Sequence, residues 1–259
     1  MYPIVFDQFG LQISSFGVML ALACLVGTWI CQIRMQEEGI DGELASVFLL
    51  YLMFGGVVGS KLYFAADVSI RNDLDFWPLL LSRDGITFYG GLIGGVLMAA
   101  LACRVHHVSF KVFTDCSAVV MLVGQGMGRI GCFLVGDDYG VATDLPWGIA
   151  FPQGAPPTLE AVHPTMLYES AWLFLGAFVM WKRRRVSPYL WAEYMIWNGI
   201  GRFPIEILRV NDPVFLGLTE PQVIACTLIL SGAALWVHYW RNPYSPPPTL
   251  GQPAEEGAA

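Results

Sequence analysis

The sequence predicts an all-α, polytopic membrane protein with seven transmembrane helices. Three observations predict it. Of 259 residues, 55% are hydrophobic and only 14% are charged, and the mean hydropathy is +0.55. Soluble domains carry about 25% charged residues, and a water-soluble fold of this size needs more polar surface than that small set of charges provides. Second, four stretches between successive charged residues are long enough to cross the hydrocarbon as helices. Third, three further apolar stretches carry only a few internal charges. Disordered, collagen-like and disulfide-scaffold classes do not fit this composition.

The spans follow in order. The charge-free stretches run between Asp7 and Arg34, Glu43 and Lys61, Asp84 and Arg104, and Glu220 and Arg241; they give the first, second, third and seventh spans. The fourth, Phe110 to Leu134, holds Asp115 and Arg129. The fifth, Thr165 to Trp181, holds Glu169, and the sixth, Pro188 to Leu208, holds Glu193, Arg202 and Glu206. Basic residues set the orientation. With the N-terminus outside, the inward loops receive Arg34, Arg104, Lys111, the run Lys182, Arg183, Arg184, Arg185, and finally Arg241. The outward side keeps only Arg71, Arg83 and Arg209, and the segment 135–164 has no Lys or Arg. The C-terminus is therefore expected in the cytoplasm, and segment 135–164 outside. Residues 1–241 form one transmembrane domain in this reading.

No Lys or Arg precedes Gly27, so the positive leader of a cleavable signal peptide is missing and the first span is expected to stay in the membrane. Cys24, Cys31, Cys103, Cys116 and Cys226 are scattered without a CxxC spacing, which indicates neither a metal site nor a disulfide framework. The Pro-, Gly- and Ala-rich tail 242–259 is expected to be disordered. Glycines four apart (Gly55/Gly59, Gly90/Gly94, Gly91/Gly95, Gly124/Gly128) suit close helix contact. Beside polar residues, Gly90 and Gly91 equally suit the approach of a lipid headgroup.

Ionisable residues within spans mark the chemistry, because each is costly there unless paired or solvated. Lys61, Arg129, Arg202 and Arg209 qualify. In the N-out orientation Arg129 and Arg202 both lie near the outer ends of their helices. Glu206 shares a helical face with Arg202, and Arg209 follows it by three residues. Asp137 and Asp138 lie about two turns beyond Arg129, and His163-Pro164 opens the fifth span. These residues can form one outer-leaflet cluster of net positive character. Arginine forks match phosphate oxygens, and at that depth a phosphate belongs to a lipid headgroup. The competing reading is that arginines near helix ends snorkel to the interface and that Arg–Glu pairs four apart are structural.

At this cluster the sequence becomes recognisable. Gly128-Arg129-Ile130-Gly131-Cys132-Phe133-Leu134-Val135-Gly136-Asp137-Asp138-Tyr139-Gly140 resembles the Gly-Arg-x-Gly-Asn-Phe-x-Asn-x-Glu-x-x-Gly signature of bacterial prolipoprotein diacylglyceryl transferases. The resemblance extends to Tyr2–Phe6, Ser15-Phe16-Gly17, Phe88 through Gly94, His163-Pro164-Thr165-Met166-Leu167-Tyr168-Glu169, Arg202 through Arg209, and Gly217-Leu218-Thr219 with Gln222. Departures occur where Cys132 and Val135 replace the two signature Asn residues, Asp137 the Glu, Tyr89 a histidine, and Phe16 a tyrosine.

The resemblance implies a transferase of the bacterial cytoplasmic (inner) membrane, with its N-terminus in the periplasm. It would move the diacylglyceryl group of phosphatidylglycerol onto the lipobox cysteine thiol of prolipoproteins, forming a thioether and releasing glycerol phosphate. Thiolate is the nucleophile, and an ordinary cysteine is mostly protonated at neutral pH. The developing charge on the phosphate leaving group needs fixed donors; Arg129 and Arg202 are assigned there, with Glu206 orienting Arg202. Tyr89, His163 and Asp137 are all candidates for the base. Arg209, Gly90, Gly91, Tyr168 and Glu169 complete the expected substrate-binding set. The expected partners are phosphatidylglycerol, prolipoprotein signal peptides and the membrane, without nucleic acid, cofactor or metal. Cys132 is expected to fill space beside the headgroup, since direct displacement by the substrate thiol needs no covalent enzyme intermediate. The alternative is a catalytically altered homologue that binds phospholipid or prolipoprotein without transfer. A transporter is disfavoured by the lack of internal repeats and by charges gathered on one side.

Overall fold

The computed structural model describes residues 3–8, 11–82, 85, 87–183, 189–209 and 211–243. Arg83, Arg184, Arg185 and the tail from residue 244, for which topogenic and disordered roles are expected, lie outside the described residues. The chain is mostly helical: α1 (Ser15–Glu37), α2 (Leu44–Asn72), α3 (Phe76–Leu81), α4 (Phe88–Val105), α5 (Phe110–Val135), α6 (Thr165–Arg183), α7 (Tyr189–Ile207) and α8 (Glu220–Arg241). Five of these helices (α1, α2, α4, α5 and α8) are long and apolar enough to cross a membrane, so the chain is a polytopic membrane protein. The fourth, fifth and sixth expected spans agree with α5, α6 and α7 within two residues at either end.

Three antiparallel hairpins add to the all-α expectation: β1 (Ile4–Gln8) with β2 (Leu11–Ser14), β3 (Ile149–Phe151) with β4 (Thr158–Val162), and β5 (Pro213–Phe215) with β6 (Leu218–Thr219). The first shortens the expected first span, because residues 4–8 and 11–14 pair as strands before α1 begins. Charge gaps cannot reveal this, since the charge-free run that starts after Asp7, inside the first strand, continues without a break into α1. The β5–β6 hairpin turns on Leu216 and Gly217, both at positive φ (48° and 77°), as a two-residue hairpin of matching twist requires.

The described residues divide into two compact units, with the divisions falling inside α1 and α5. In the unit of residues 24–120, α2 and α4 touch backbone to backbone. A Cβ on Gly94 would stand 2.1 Å from the Gly55 carbonyl oxygen, and one on Gly59 would stand 2.3 Å from that of Gly90. The contact is continued by reciprocal hydrogen bonds, with the Ser60 hydroxyl donating to the Thr87 carbonyl (2.7 Å) and the Thr87 hydroxyl to that of Ser60 (3.1 Å). Lys61 Nζ donates to the Ser82 carbonyl at 2.7 Å, which satisfies its charge at the end of the apolar part of α2. The core holds Phe48 stacked on Phe113, with ring centroids 4.6 Å apart.

The other unit, residues 3–23 and 121–243, carries the ends of α5 and α7 together with α6 and α8. Helices α6 and α7 meet through Trp172 and Trp197, which stack at 4.4 Å and whose indole N–H groups each donate to the other residue's carbonyl. Between α5 and α6, segment 136–164 is folded onto this unit rather than free. Phe151, Val162 and Met166 form a buried core with Cys132, Phe133, Tyr139 and Ile149 packed against it. Backbone bonds from Val141 N–H to the Leu208 carbonyl and from His163 N–H to the Val141 carbonyl tie the segment to the end of α7.

Candidate active site

Helix α5 ends at Val135. Gly136 at φ +79° caps it, donating its N–H to the Cys132 carbonyl at 2.8 Å, and glycine reaches that left-handed geometry without strain. Asp138 is itself left-handed (φ +61°). The turn brings its carboxylate back over α5, where Arg129 Nη1 donates to Oδ2 at 2.8 Å. Arg209, just past α7, pairs with the other oxygen. Thr165, the first residue of α6, fixes the turn by donating its hydroxyl to the Asp138 carbonyl (2.8 Å). One residue thus joins the ends of three helices, two through its carboxylate and α6 through its backbone carbonyl.

Below it, Glu169 spans the arginine pair. Arg129 Nε lies 3.0 Å from Oε1 and Arg202 Nη1 lies 2.8 Å from Oε2. Glu206 is fully buried and pairs with Arg202 Nη2 at 3.0 Å and Arg209 Nε at 3.9 Å. It also accepts from the Asn211 amide and, at 3.2 Å, from the Thr219 hydroxyl, two residues flanking the β5–β6 hairpin. Guanidinium groups so held keep their planes fixed while several N–H donors remain for a ligand. Arg129 and Arg202 stay partly open, at 21% and 15% side-chain exposure.

The sequence-predicted set divides accordingly. Arg129, Arg202, Arg209, Glu169 and Glu206 come together in one network. The expected net positive character does not hold for it: three arginines face three carboxylates, Asp138, Glu169 and Glu206, so the formal charges cancel. The physical reason is burial, since arginines at this depth need partners, and each finds at least one. His163 and Tyr168 stand beside the network, with His163 Nδ1 3.3 Å from the Tyr168 hydroxyl, which also accepts from Trp147 Nε1 at 2.8 Å. Tyr89, Gly90 and Gly91 belong to the unit of residues 24–120, on α4.

Asp137, expected in the signature, is turned toward Cys132, and Asp138 takes the arginines instead. Burial, the largest cause, pushes the Asp137 carboxyl above the usual carboxylate range. Burial works in the same direction on Asp138, but Arg209 and Arg129 outweigh it and hold that carboxyl below the range. Cys132, Asp137 and Asp138 offer ligand atoms within 4.8 Å of one another; a cation there would have to draw Asp138 from its two arginines. Sequence reasoning also passed over Trp147 and Asn211, which are uncharged and lie outside the spans that a search for buried charges scans.

Residues 3–238 match the family profile described as prolipoprotein diacylglyceryl transferase. The chain belongs to this family. Among its relatives, the phosphatidylglycerol–prolipoprotein diacylglyceryl transferase of Clostridium tetani is 34% identical over 219 residues, covering 82% of this chain and 87% of its own length. The proteins of the same name from Parasynechococcus marenigrum and Nitratidesulfovibrio vulgaris are each 31% identical, over 259 and 251 residues, and cover 90% and 91% of this chain and 92% of their own lengths. The arginine–carboxylate network therefore belongs to a prolipoprotein diacylglyceryl transferase, and Cys132 and Val135 stand inside its signature segment.

Proposed function

We infer that the chain transfers the diacylglyceryl group of phosphatidylglycerol to the cysteine thiol of prolipoproteins. The observation that carries this is the pair Arg129–Arg202, bridged by Glu169, within a chain that matches the transferase family from residue 3 to 238. The two guanidinium groups hold the phosphate of the lipid and neutralise the charge that grows on it as the glyceryl carbon–oxygen bond breaks. The substrate sulfur attacks that carbon, a thioether forms, and glycerol phosphate leaves. His163 takes the thiol proton. Its Nδ1 is engaged by Tyr168, which leaves Nε2 for the substrate, and it shares a unit with the arginines. Arg209, Tyr168 and Glu169 shape the phosphate side, while Tyr89, Gly90 and Gly91 act from α4. Asp137 stays a structural neighbour of Cys132.

The membrane arrangement proposed is seven spans (α1, α2, α4, α5, α6, α7 and α8), N-terminus periplasmic and C-terminus cytoplasmic, in the bacterial inner membrane. The excess of basic residues on one side supports it. Segment 136–164, free of Lys and Arg, then meets the signal peptide and its lipobox cysteine.

Incubation of the purified protein with labelled phosphatidylglycerol and a lipobox peptide tests the reaction. Thioether-linked peptide and free glycerol phosphate are expected in equal amounts. Lipid or peptide binding without product would establish a binding protein instead. In a cysteine-free background, Ala150→Cys should react with an impermeant reagent from outside and Arg183→Cys only after permeabilisation; the reverse pattern would invert the topology.

A further inference from the structure

One helical turn below the arginines lies a second polar layer. Gln125 precedes Arg129 by four residues on α5, and Asn198 precedes Arg202 by four on α7, so each amide shares the face of its arginine and sits about 6 Å deeper into the helix. Both arginines are within two turns of their helices' C-terminal ends, so this deeper position points away from the membrane surface whichever way the chain is inserted. Across the layer, Asn198 Nδ2 donates to Gln125 Oε1, and Gln125 Nε2 donates to the Tyr194 hydroxyl at 2.8 Å. Tyr194 is buried, whereas Gln125 and Asn198 are only half-buried.

Two amides facing one another at this depth are costly unless something uses them. Each NH2 group has two donors. Gln125 uses one within the layer and keeps the other, while Asn198 bonds both Gln125 and the Tyr194 hydroxyl. Beside them α5 is smooth: no atom of the same unit comes within 4 Å of where a Cβ would stand on Gly124 or Gly128. That strip lies about 100° round the helix from the line of Gln125 and Arg129.

We propose that Gln125, held by Asn198 and Tyr194, forms a subsite for an ester carbonyl of the diacylglyceryl group. The inference rests on the transfer reading above, with the phosphate at Arg129 and Arg202. In a phospholipid the ester carbonyls lie a few ångströms from the phosphate on the hydrocarbon side, and they are hydrogen-bond acceptors without donors. The Gln125 amide offers a spare donor at that offset. Tyr194 is a positioning residue: it holds the Gln125 amide and does not touch the lipid. The subsite makes the protein selective for ester-linked lipid with its carbonyls intact, and it holds the glyceryl carbon against the arginine layer.

The test compares diacyl phosphatidylglycerol with its dialkyl ether analogue of equal chain length, which keeps the phosphate and loses both carbonyls. Transfer kinetics and displacement of a fluorescent phosphatidylglycerol are measured for the wild type, Gln125→Met, Asn198→Leu and the double variant. One ordinary hydrogen bond predicts a wild-type preference for the ester of roughly fivefold, expressed mainly in KM and in displacement. The variants should fall to the ether value on the ester lipid and keep the wild-type value on the ether. Equal losses on both lipids would assign the layer to folding and overturn the proposal, as would a wild type indifferent to the carbonyls. Absence of transfer from either lipid would refute the transfer reading alone, because displacement still decides the subsite by the same comparison.

Discussion

Replacing Glu169 by Gln removes the charge that aligns the two arginines while leaving the side chain almost unchanged in size. In the native site, one carboxylate pairs with Arg129 Nε at 3.0 Å and accepts from Arg202 Nη1 at 2.8 Å, at 12% side-chain exposure. Removing one partner of such a buried pair costs about 3–5 kcal/mol. Glutamine keeps a carbonyl acceptor for one arginine and sets an N–H against the other, so about half of that, roughly 2 kcal/mol, is lost from alignment of the fork. At about 1.4 kcal/mol per tenfold this is roughly a thirtyfold fall in kcat. The charge balance moves the opposite way. Three arginines then face two carboxylates, so the anionic lipid should bind no more weakly, and KM should stay level or fall. Initial rates of peptide lipidation across a phosphatidylglycerol series separate the two constants. Wild-type kcat in Glu169→Gln, or a loss carried wholly by KM, would refute the alignment role.

Arg129→Lys and Arg202→Lys each keep the charge but replace the planar fork by a point charge; transfer should fall by about a hundredfold while the protein stays folded in membranes, and full activity in either would show that these arginines only snorkel. The Asp138 carboxyl is held below its ordinary value, so its stabilisation is fully present above pH of about 4 and is lost as pH falls through the depressed folded value. The thermal midpoint of detergent-solubilised protein should therefore drop on that acid limb, and Asp138→Asn should flatten the drop; an unchanged acid limb would contradict the pairing. Gly94→Ala would drive a methyl to 2.1 Å from a carbonyl oxygen of α2 and should lower stability by about 2 kcal/mol or more, whereas Gly56→Ala, which meets nothing within 4 Å, should stay within about 0.5 kcal/mol. Thermal unfolding of the two variants side by side checks the contrast.

The helices were legible because the rule that makes them is one-dimensional: a span must be apolar for its length, and a charge ends it or marks a site. Phe110–Val135 and Thr165–Arg183 could be read in this way almost to the residue. The first hairpin was not, because the charge-free run after Asp7 continues from its second strand straight into α1. In the site, the residue types and the spacing of Arg202, Glu206 and Arg209 were enough to group them on α7. The bridging by Glu169 was not, since it depends on how α6 packs between α5 and α7. The choice between Asp137 and Asp138 was decided by the left-handed turn after Gly136, a backbone property that two adjacent identical residues do not reveal. Gln125 and Asn198 did leave a signal, as polar residues one turn before arginines inside apolar runs. A search confined to charged groups passes over them.

Helix α2 makes this protein a gauge of its own bilayer. Its 29 residues extend about 43 Å, against a hydrocarbon thickness of about 30 Å. Lys61, anchored to the Ser82 carbonyl, stands about 26 Å from the start of the helix. The last turns beyond it carry the exposed Arg71–Asp67 pair. They lead to α3, whose Trp77 is 71% exposed and suited to the headgroup zone. A membrane thinner than usual leaves this arrangement untouched. A thicker one must either submerge the lysine or thin itself around the helix, each at an energetic cost that rises with every added ångström. Lipid chain length would then enter the behaviour of this chain twice, once as a property of the substrate and once as the depth of the solvent in which the protein stands.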